Sequence, residues 1–160
     1  MRTAIISGTF DPITVGHMDI ITRASRLFER VVVAVSVNSE KKNLLPDEIR
    51  LESVKASVEK LQNVQVELCE GLLADFCKNY ENPVIVRGAR SGSDFDYERS
   101  LYVINKGFGD LETVILPANN HYIHISSTYA RELIKYDKNL AGTVPDGAIG
   151  VIYPWLKNRR

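Results

Sequence analysis

Ten residues near the start, Gly8-Thr9-Phe10-Asp11-Pro12-Ile13-Thr14-Val15-Gly16-His17, bring together two glycines, two threonines and a histidine. A short apolar run, Thr3 to Ile6, precedes them and an amphipathic run beginning at Met18 follows. Strand, tight turn, helix is the order this implies, with a histidine at the helix mouth. Such a junction suits a nucleotide phosphate, because unpaired backbone N–H groups and the positive end of the helix dipole face out of the turn. Gly8 and Gly16 would let a polyphosphate approach the main chain, and His17 could add a hydrogen bond or, when protonated, a charge. Turns also use Gly, Asp, Pro and Thr for conformational reasons alone, so a plain turn is the alternative.

Further cationic and hydroxyl-bearing groups fall in three later places. Lys41 and Lys42 are adjacent; Arg87-Gly88-Ala89-Arg90 closes an apolar run; and His121-Tyr122 leads through His124 to Ile125-Ser126-Ser127-Thr128 at a helix start. Arginine and hydroxyl groups collected on one edge would suit triphosphates and phosphorylated substrates. Each has a bland alternative. The lysines could be a solvated pair, and Ser126 or Ser127 an ordinary N-cap. His121 and His124 lack an acidic partner at metal-ligand spacing, which argues against zinc. Neither a Gly-x-x-x-x-Gly-Lys-Ser/Thr loop, nor Gly-x-Gly-x-x-Gly after the first strand, nor a Gly-x-Ser-x-Gly elbow occurs.

The elements that must position these groups alternate along the chain. Strands are expected at Thr3–Ser7, Val31–Val37, Val64–Leu68, Val84–Arg87 and Thr113–Leu116. Val31 to Val35 is apolar on successive residues, as in a strand buried on both faces. One helical stripe is Ile20, Ile21, Ala24, Leu27 and Phe28; another is Leu51, Val54, Val58 and Leu61, after Pro46-Asp47-Glu48. Further helices are expected over Leu72 to Tyr80, Phe95 to Lys106 and Ser127 to Tyr136, with a short last one opened by Pro145-Asp146-Gly147 and ended by Pro154. The pattern predicts an α/β fold: a doubly wound five-stranded parallel sheet, Rossmann-like, with helices on both faces and ligands at the carboxyl ends of the strands.

One domain spanning 1–160 suits this length. With 20 basic and 20 acidic side chains, the balance argues against a nucleic-acid binder that relies on a general electrostatic footprint. Cys69 and Cys77 offer neither a disulfide framework nor zinc spacing, and are expected as inert thiols in a reducing compartment. No run approaches the ~20 apolar residues that span a bilayer, and Met1 leads straight into a strand. No membrane association and a cytoplasmic location are expected.

Three motifs taken together resemble the nucleotidyltransferases related to class I aminoacyl-tRNA synthetases: Gly-Thr-Phe-Asp-Pro-Ile-Thr-x-Gly-His, Arg-Gly-x-Arg followed by Asp-Phe-Asp-Tyr-Glu, and Ile-Ser-Ser-Thr before a helix. The likeness covers nearly the whole chain. The Lys41-Lys42 pair and Arg87-Gly88-Ala89-Arg90 with Tyr97-Glu98 point to the branch acting on 4′-phosphopantetheine. What the resemblance implies is reversible adenylyl transfer from ATP to 4′-phosphopantetheine, giving dephospho-coenzyme A and pyrophosphate in the penultimate step of coenzyme A synthesis. Mg²⁺ would be held by the phosphates, not by protein side chains. His17 would stabilise the transition state, with Lys41 and Arg90 as further catalytic groups. Thr9, Lys41, Leu73 and Arg87 would bind phosphopantetheine. Thr9, Phe10, His17, Gly88, Ala89, Arg90, Glu98, Tyr122, Ile125, Ser126, Ser127 and Thr128 would surround ATP. A homohexamer with coenzyme A as a feedback ligand is also implied. Departures from the pattern are Ser7 in place of proline, Thr128 in place of a third serine, and Ala89 in place of a larger apolar residue. The rivals are a sister transferase using CTP with glycerol phosphate or ATP with nicotinamide mononucleotide, and a non-catalytic nucleotide sensor.

Overall fold

The structure, a computed structural model, describes residues 1–37 and 42–159. Strands β1 (Thr3–Gly8), β2 (Arg30–Val37), β3 (Val64–Glu70), β4 (Pro83–Ala89) and β5 (Glu112–Pro117) alternate with helices α1 (Val15–Leu27), α2 (Asp47–Val58), α3 (Leu73–Cys77) and α4 (Gly92–Gly109). A single 3-10 turn, Asn120–Tyr122, then leads to α5 (Ser127–Lys135) and α6 (Asp146–Asn158).

Side chains alternate across the sheet with the period of two that strands impose. Ala4, Ile6, Val31, Val33 and Val35 face a large core shared with α1, α2, α5 and α6. Ile5, Val32, Ala34 and Ile85 face a smaller core closed by Ala74 and Cys77 of α3. The expected strand with two buried faces is thus β2. Cys69 and Cys77 are free and buried in the smaller core, where burial pushes the Cys77 thiol up to about 11.

The strand order is β3-β2-β1-β4-β5, with every neighbouring pair parallel. The chain builds outward from β1 through β2 to β3, then returns to β1's other side for β4 and β5. This reversal leaves a crevice between β1 and β4 at their carboxyl ends. Pairing of β1 with β4 stops at Ile5–Ile85, whereas β1 stays paired with β2 to Gly8 and β4 with β5 to Ala89. The two central strands therefore part company for their last residues, and the gap opens there.

Four expectations are corrected. α6 runs through Pro154 to Asn158 instead of ending at it. The carbonyl that Pro154 leaves without its helical donor belongs to Gly150, and Ile152, Trp155 and Leu156 pack on the large core across the interruption. α3 spans only Leu73–Cys77, not Leu72 to Tyr80, while α4 covers Gly92–Gly109, beyond Phe95 to Lys106 at both ends. Ser91 caps α4 by accepting from the Asp94 N–H, and Asp110 ends it in the left-handed region at φ 52°. β4 also extends through Gly88 and Ala89, expected in a loop. α6 crosses α2 so closely that a Cβ on Gly147 would lie 2.4 Å from the Ala56 carbonyl oxygen, so only glycine fits.

Candidate active site

The gap between β1 and β4 opens into a cleft of about 650 Å³. Its walls are Ile6 to Asp11, the first turn of α1, Val86 to Gly88 with Arg90 and Glu98, and the start of α5 with Tyr122 and Ile125. Lys42 and Asn43 line it from the side of β2.

The turn after β1 is a packed structure. Phe10, Asp11, Ile13 and Thr14 are all buried. Gly8 makes room for it, since a Cβ there would come within 3.0 Å of the Phe10 ring. Phe10 itself takes φ 50°, which turns its ring inward against His17, edge to face at 5.1 Å.

His17 lies one turn into α1 and closes a capping box with Thr14. The His17 N–H donates to Thr14 Oγ1 at 3.3 Å, and the Thr14 N–H donates to His17 Nδ1 at 3.0 Å. Because Nδ1 accepts, the ring proton resides on Nε2, leaving an N–H donor for a ligand. Burial, reinforced by the charges of Arg87 and Arg90, lowers the His17 pKa to about 4. Of the two roles open at the sequence level, hydrogen bond or positive charge, the free protein holds the first: a neutral imidazole beside two guanidiniums.

The same turn is tied to the rest of the molecule through its polar groups. The Asp11 carboxylate accepts from the N–H groups of Leu44 and Leu45, both at 2.8 Å. The Asp11 carbonyl accepts from Arg131 Nη1 at 2.8 Å, and the Pro12 carbonyl accepts from Ser127 Oγ at 2.8 Å. The loop before α2 and the helix α5 are thereby fastened to one stretch of chain.

The opposite wall is made of arginines and carboxylates. Glu98 is the one buried residue of α4, and it grips Arg87 through both oxygens, from Nε at 2.7 Å and from Nη2 at 3.0 Å. Arg87 Nη1 reaches across the gap to the Ser7 carbonyl at 2.7 Å and the Ser7 hydroxyl at 3.1 Å. Proline at position 7 would have supplied the carbonyl but not the hydroxyl. The acidic residue among cations is therefore an orienting partner for an arginine, in the bidentate geometry that guanidinium and carboxylate favour. Arg90 Nη1 donates to the Ile125 carbonyl at 3.3 Å, and its backbone N–H to Asp94 at 3.0 Å.

Of the residues singled out from sequence, Thr9, Phe10, His17, Arg87, Gly88, Arg90, Glu98, Tyr122, Ile125, Ser126, Ser127 and Thr128 all line this one cleft. Lys41 lies outside the described residues. Ala89 does not line the cleft; it ends β4, and its carbonyl accepts from the Ala118 N–H at 2.8 Å. Leu73 packs instead against the smaller core at the start of α3. Ser126 is the N-cap of α5, accepting from the Tyr129 N–H at 3.1 Å. Sequence reading passed over Arg131, which lines the cleft and donates to Thr128 Oγ1 at 3.1 Å. Its spacing of three from Thr128 on a helix was the available signal.

The carboxylates in and beside the cleft are already engaged: Asp11 by backbone N–H groups, Asp19 by Arg23, Glu98 by Arg87 and Asp94 by Arg90. No group of three or more His, Cys, Asp and Glu that could hold a metal occurs among the described residues. The protein's own donors in the cleft do not fit a resident divalent cation; they fit anions.

Comparison with known proteins agrees with this geometry. The profile of the cytidylyltransferase-like family matches residues 5–133. The phosphopantetheine adenylyltransferase of Streptomyces coelicolor is 42% identical over 159 residues, covering 99% of this chain and 100% of the relative. That of Clostridium beijerinckii is 39% identical over 153 residues, 95% of this chain and 96% of the relative. Among solved structures, a protein titled a nicotinate-nucleotide adenylyltransferase from Vibrio parahaemolyticus superposes with TM-score 0.71 at 18% identity, covering 99% of this chain and 96% of its own. A bifunctional NMN adenylyltransferase/ADP ribose pyrophosphatase from Francisella tularensis matches with TM-score 0.71 at 15% identity, covering 99% of this chain and 48% of its own. At such identities these structures speak for the fold alone.

Proposed function

The chain belongs to the phosphopantetheine adenylyltransferases of the cytidylyltransferase-like family, and from that premise we infer that its cleft transfers an adenylyl group from ATP to 4′-phosphopantetheine. It is a nucleotidyltransferase of coenzyme A biosynthesis, and the reaction is reversible. An oxygen of the acceptor phosphate forms a bond to the α-phosphorus of ATP while the bond to the bridging oxygen breaks and pyrophosphate departs. The acceptor is already ionised, so no protein nucleophile or general base is needed. The protein's task is to hold two anions in line and to meet the charge that gathers on the α-phosphate oxygens.

The observation that carries this reading is the lock on His17. With Nδ1 occupied by the Thr14 N–H, the Nε2–H is a donor of fixed direction, set beside Arg87 and Arg90. In our reading it stabilises the α-phosphate in the transition state, with the Thr9 region beside it. Arg87, aimed by Glu98 and Ser7, takes the acceptor phosphate together with Lys41. Arg90, the N-terminus of α5 from Ser126 to Thr128, and Arg131 take the β- and γ-phosphates. Gly88, Tyr122 and Ile125 flank the nucleoside. Leu73 and Ala89 stand off the cleft wall, and their roles at the pantetheine arm and at ATP rest on the resemblance alone. Mg²⁺ would enter on the triphosphate, and the chain's own residues do the positioning.

Incubating the protein with ATP, Mg²⁺ and 4′-phosphopantetheine tests the reading: pyrophosphate and dephospho-coenzyme A should appear in equal amounts. Release of pyrophosphate only with another phosphate acceptor would overturn it.

The same reading takes in one nucleotidyltransferase domain, a cytoplasmic enzyme, a homohexamer and coenzyme A as a feedback ligand. Coenzyme A shares the product's adenylyl-pantetheine frame and would compete for the cleft. Support for assembly comes from α4, where Phe95, Val103, Ile104 and Phe108 are each about half exposed or more. Light scattering on purified protein tests the hexamer. No helix among the described residues is long and apolar enough to cross a membrane.

A further inference from the structure

Arg50 lies on α2 and is fully buried, at 0% exposure, although it is not among the residues that line the cleft. Burying a guanidinium is costly unless its N–H groups find acceptors. Arg50 Nη1 donates to the Thr9 carbonyl at 2.5 Å and to the Ser36 carbonyl at 2.9 Å, and Nη2 donates to Asp47. Nε has no partner among the described residues, so the bonding is directed to those three oxygens.

The two carbonyls hold a particular place in the sheet. β1 and β2 are paired in register up to Gly8 and Val35. Thr9 follows the end of β1 and Ser36 is the next residue of β2, so here the two strands lose their pairing and the chain after β1 leads on to Phe10 and His17. One buried guanidinium thus bridges the pair just past the last backbone rung. A planar fork can donate to two carbonyls and a carboxylate at fixed angles, which a lysine ammonium cannot reproduce.

We propose that Arg50 is a positioning residue for adenylyl transfer, which touches neither substrate but sets the spacing between the exits of β1 and β2. That spacing places the turn from Thr9 to His17, and so governs how the α-phosphate held there lines up with the acceptor phosphate at Arg87. The inference rests on the transfer reaction proposed for this cleft.

Arg50→Lys retains a cation and most of the volume, and Asp47→Asn leaves Arg50 in place but slackens one anchor. Each variant is compared with wild type by steady-state transfer kinetics, ATP calorimetry and thermal unfolding, with rates expressed per folded molecule from circular dichroism. For Arg50→Lys, kcat should fall about 10- to 100-fold and the KM for 4′-phosphopantetheine should rise, while ATP affinity stays near wild type. Asp47→Asn should move kcat the same way by a few-fold. Lower melting temperatures with wild-type kcat and KM per folded molecule would show that Arg50 only holds the core, and the proposal would be wrong. If Arg50→Lys does not fold, Asp47→Asn decides by the same criterion. Wild-type protein that fails to transfer overturns the reaction and this inference together; active wild type with unchanged variants overturns the inference alone.

Discussion

The two walls of the cleft are held in different ways. On the side of Phe10 to Thr14 the backbone is buried, and its polar groups are fastened by Arg131, Ser127 and the Leu44 and Leu45 amides. On the side of β4 and α4, cations are fastened to carboxylates, and α4 buries only Glu98. The first plan gives fixed geometry, as expected where charge develops during the chemical step and reorganisation would cost rate. The second gives charge that is aimed but still able to accept a phosphate, since Arg87 and Arg90 stand on an open cleft. One wall is suited to directing a transition state, the other to receiving anions.

Substitutions can break this contrast at several points. The largest expected effect is on the rigid wall: His17→Ala should lower kcat about 10²- to 10³-fold, the loss seen when one preorganised donor is removed. ATP affinity, measured by calorimetry, should change little; a parallel loss of binding would make His17 a ground-state ligand instead. Asp11→Asn should cost about 1–3 kcal/mol of stability, because a buried amide cannot satisfy two backbone N–H groups as a carboxylate does. Urea denaturation at neutral pH measures this, and a wild-type midpoint would show that the anchor at Leu44 and Leu45 contributes nothing. On the charged wall, Glu98→Gln should raise the KM for 4′-phosphopantetheine about tenfold, or roughly 1.4 kcal/mol, with kcat less affected. Initial-rate kinetics at saturating ATP give both constants, and a kcat effect without a KM effect would place Arg87 on the chemical step.

The mildest test is titration. His17 in the folded protein is lowered to about 4, against 6.5 for an ordinary histidine. The unfolded chain therefore takes up this proton first, so His17 costs the fold nothing above pH 6.5 and withdraws stability as pH falls from there toward 4. The ring resonances of His17, followed by NMR in the free protein, should show no titration between pH 5.5 and 8. A midpoint near 6.5 would mean that the ring is not enclosed as described.

Much of this architecture was legible in the order of residues. All five expected strands formed, each extended by one to three residues, because alternating or continuous apolar runs leave few other ways to bury them. The strand, turn and helix order was visible in Thr3 to His17, and the N-cap at Ser126 in a hydroxyl before a helical stripe. Boundaries were harder. Pro154 sits within α6 because packing of Ile152, Trp155 and Leu156 outweighs one missing hydrogen bond, and β4 outran its expected end because β5 lies alongside to pair with Gly88 and Ala89.

Chain periodicity and turn chemistry are local properties, set by neighbours within a turn or two, and so the doubly wound sheet and the edge where its cleft opens could be deduced from pattern and spacing. Other features depend on which distant segments meet. Arg87 finds Ser7 across 80 residues and Glu98 across 11, and Arg50 reaches Thr9 across 41. The state of His17 likewise follows from enclosure and from two guanidiniums brought in by β4. Those encounters require the reversal of strand order between β1 and β4, which no short stretch of residues encodes, and they settle which groups are held rigid and which are left to meet the substrates.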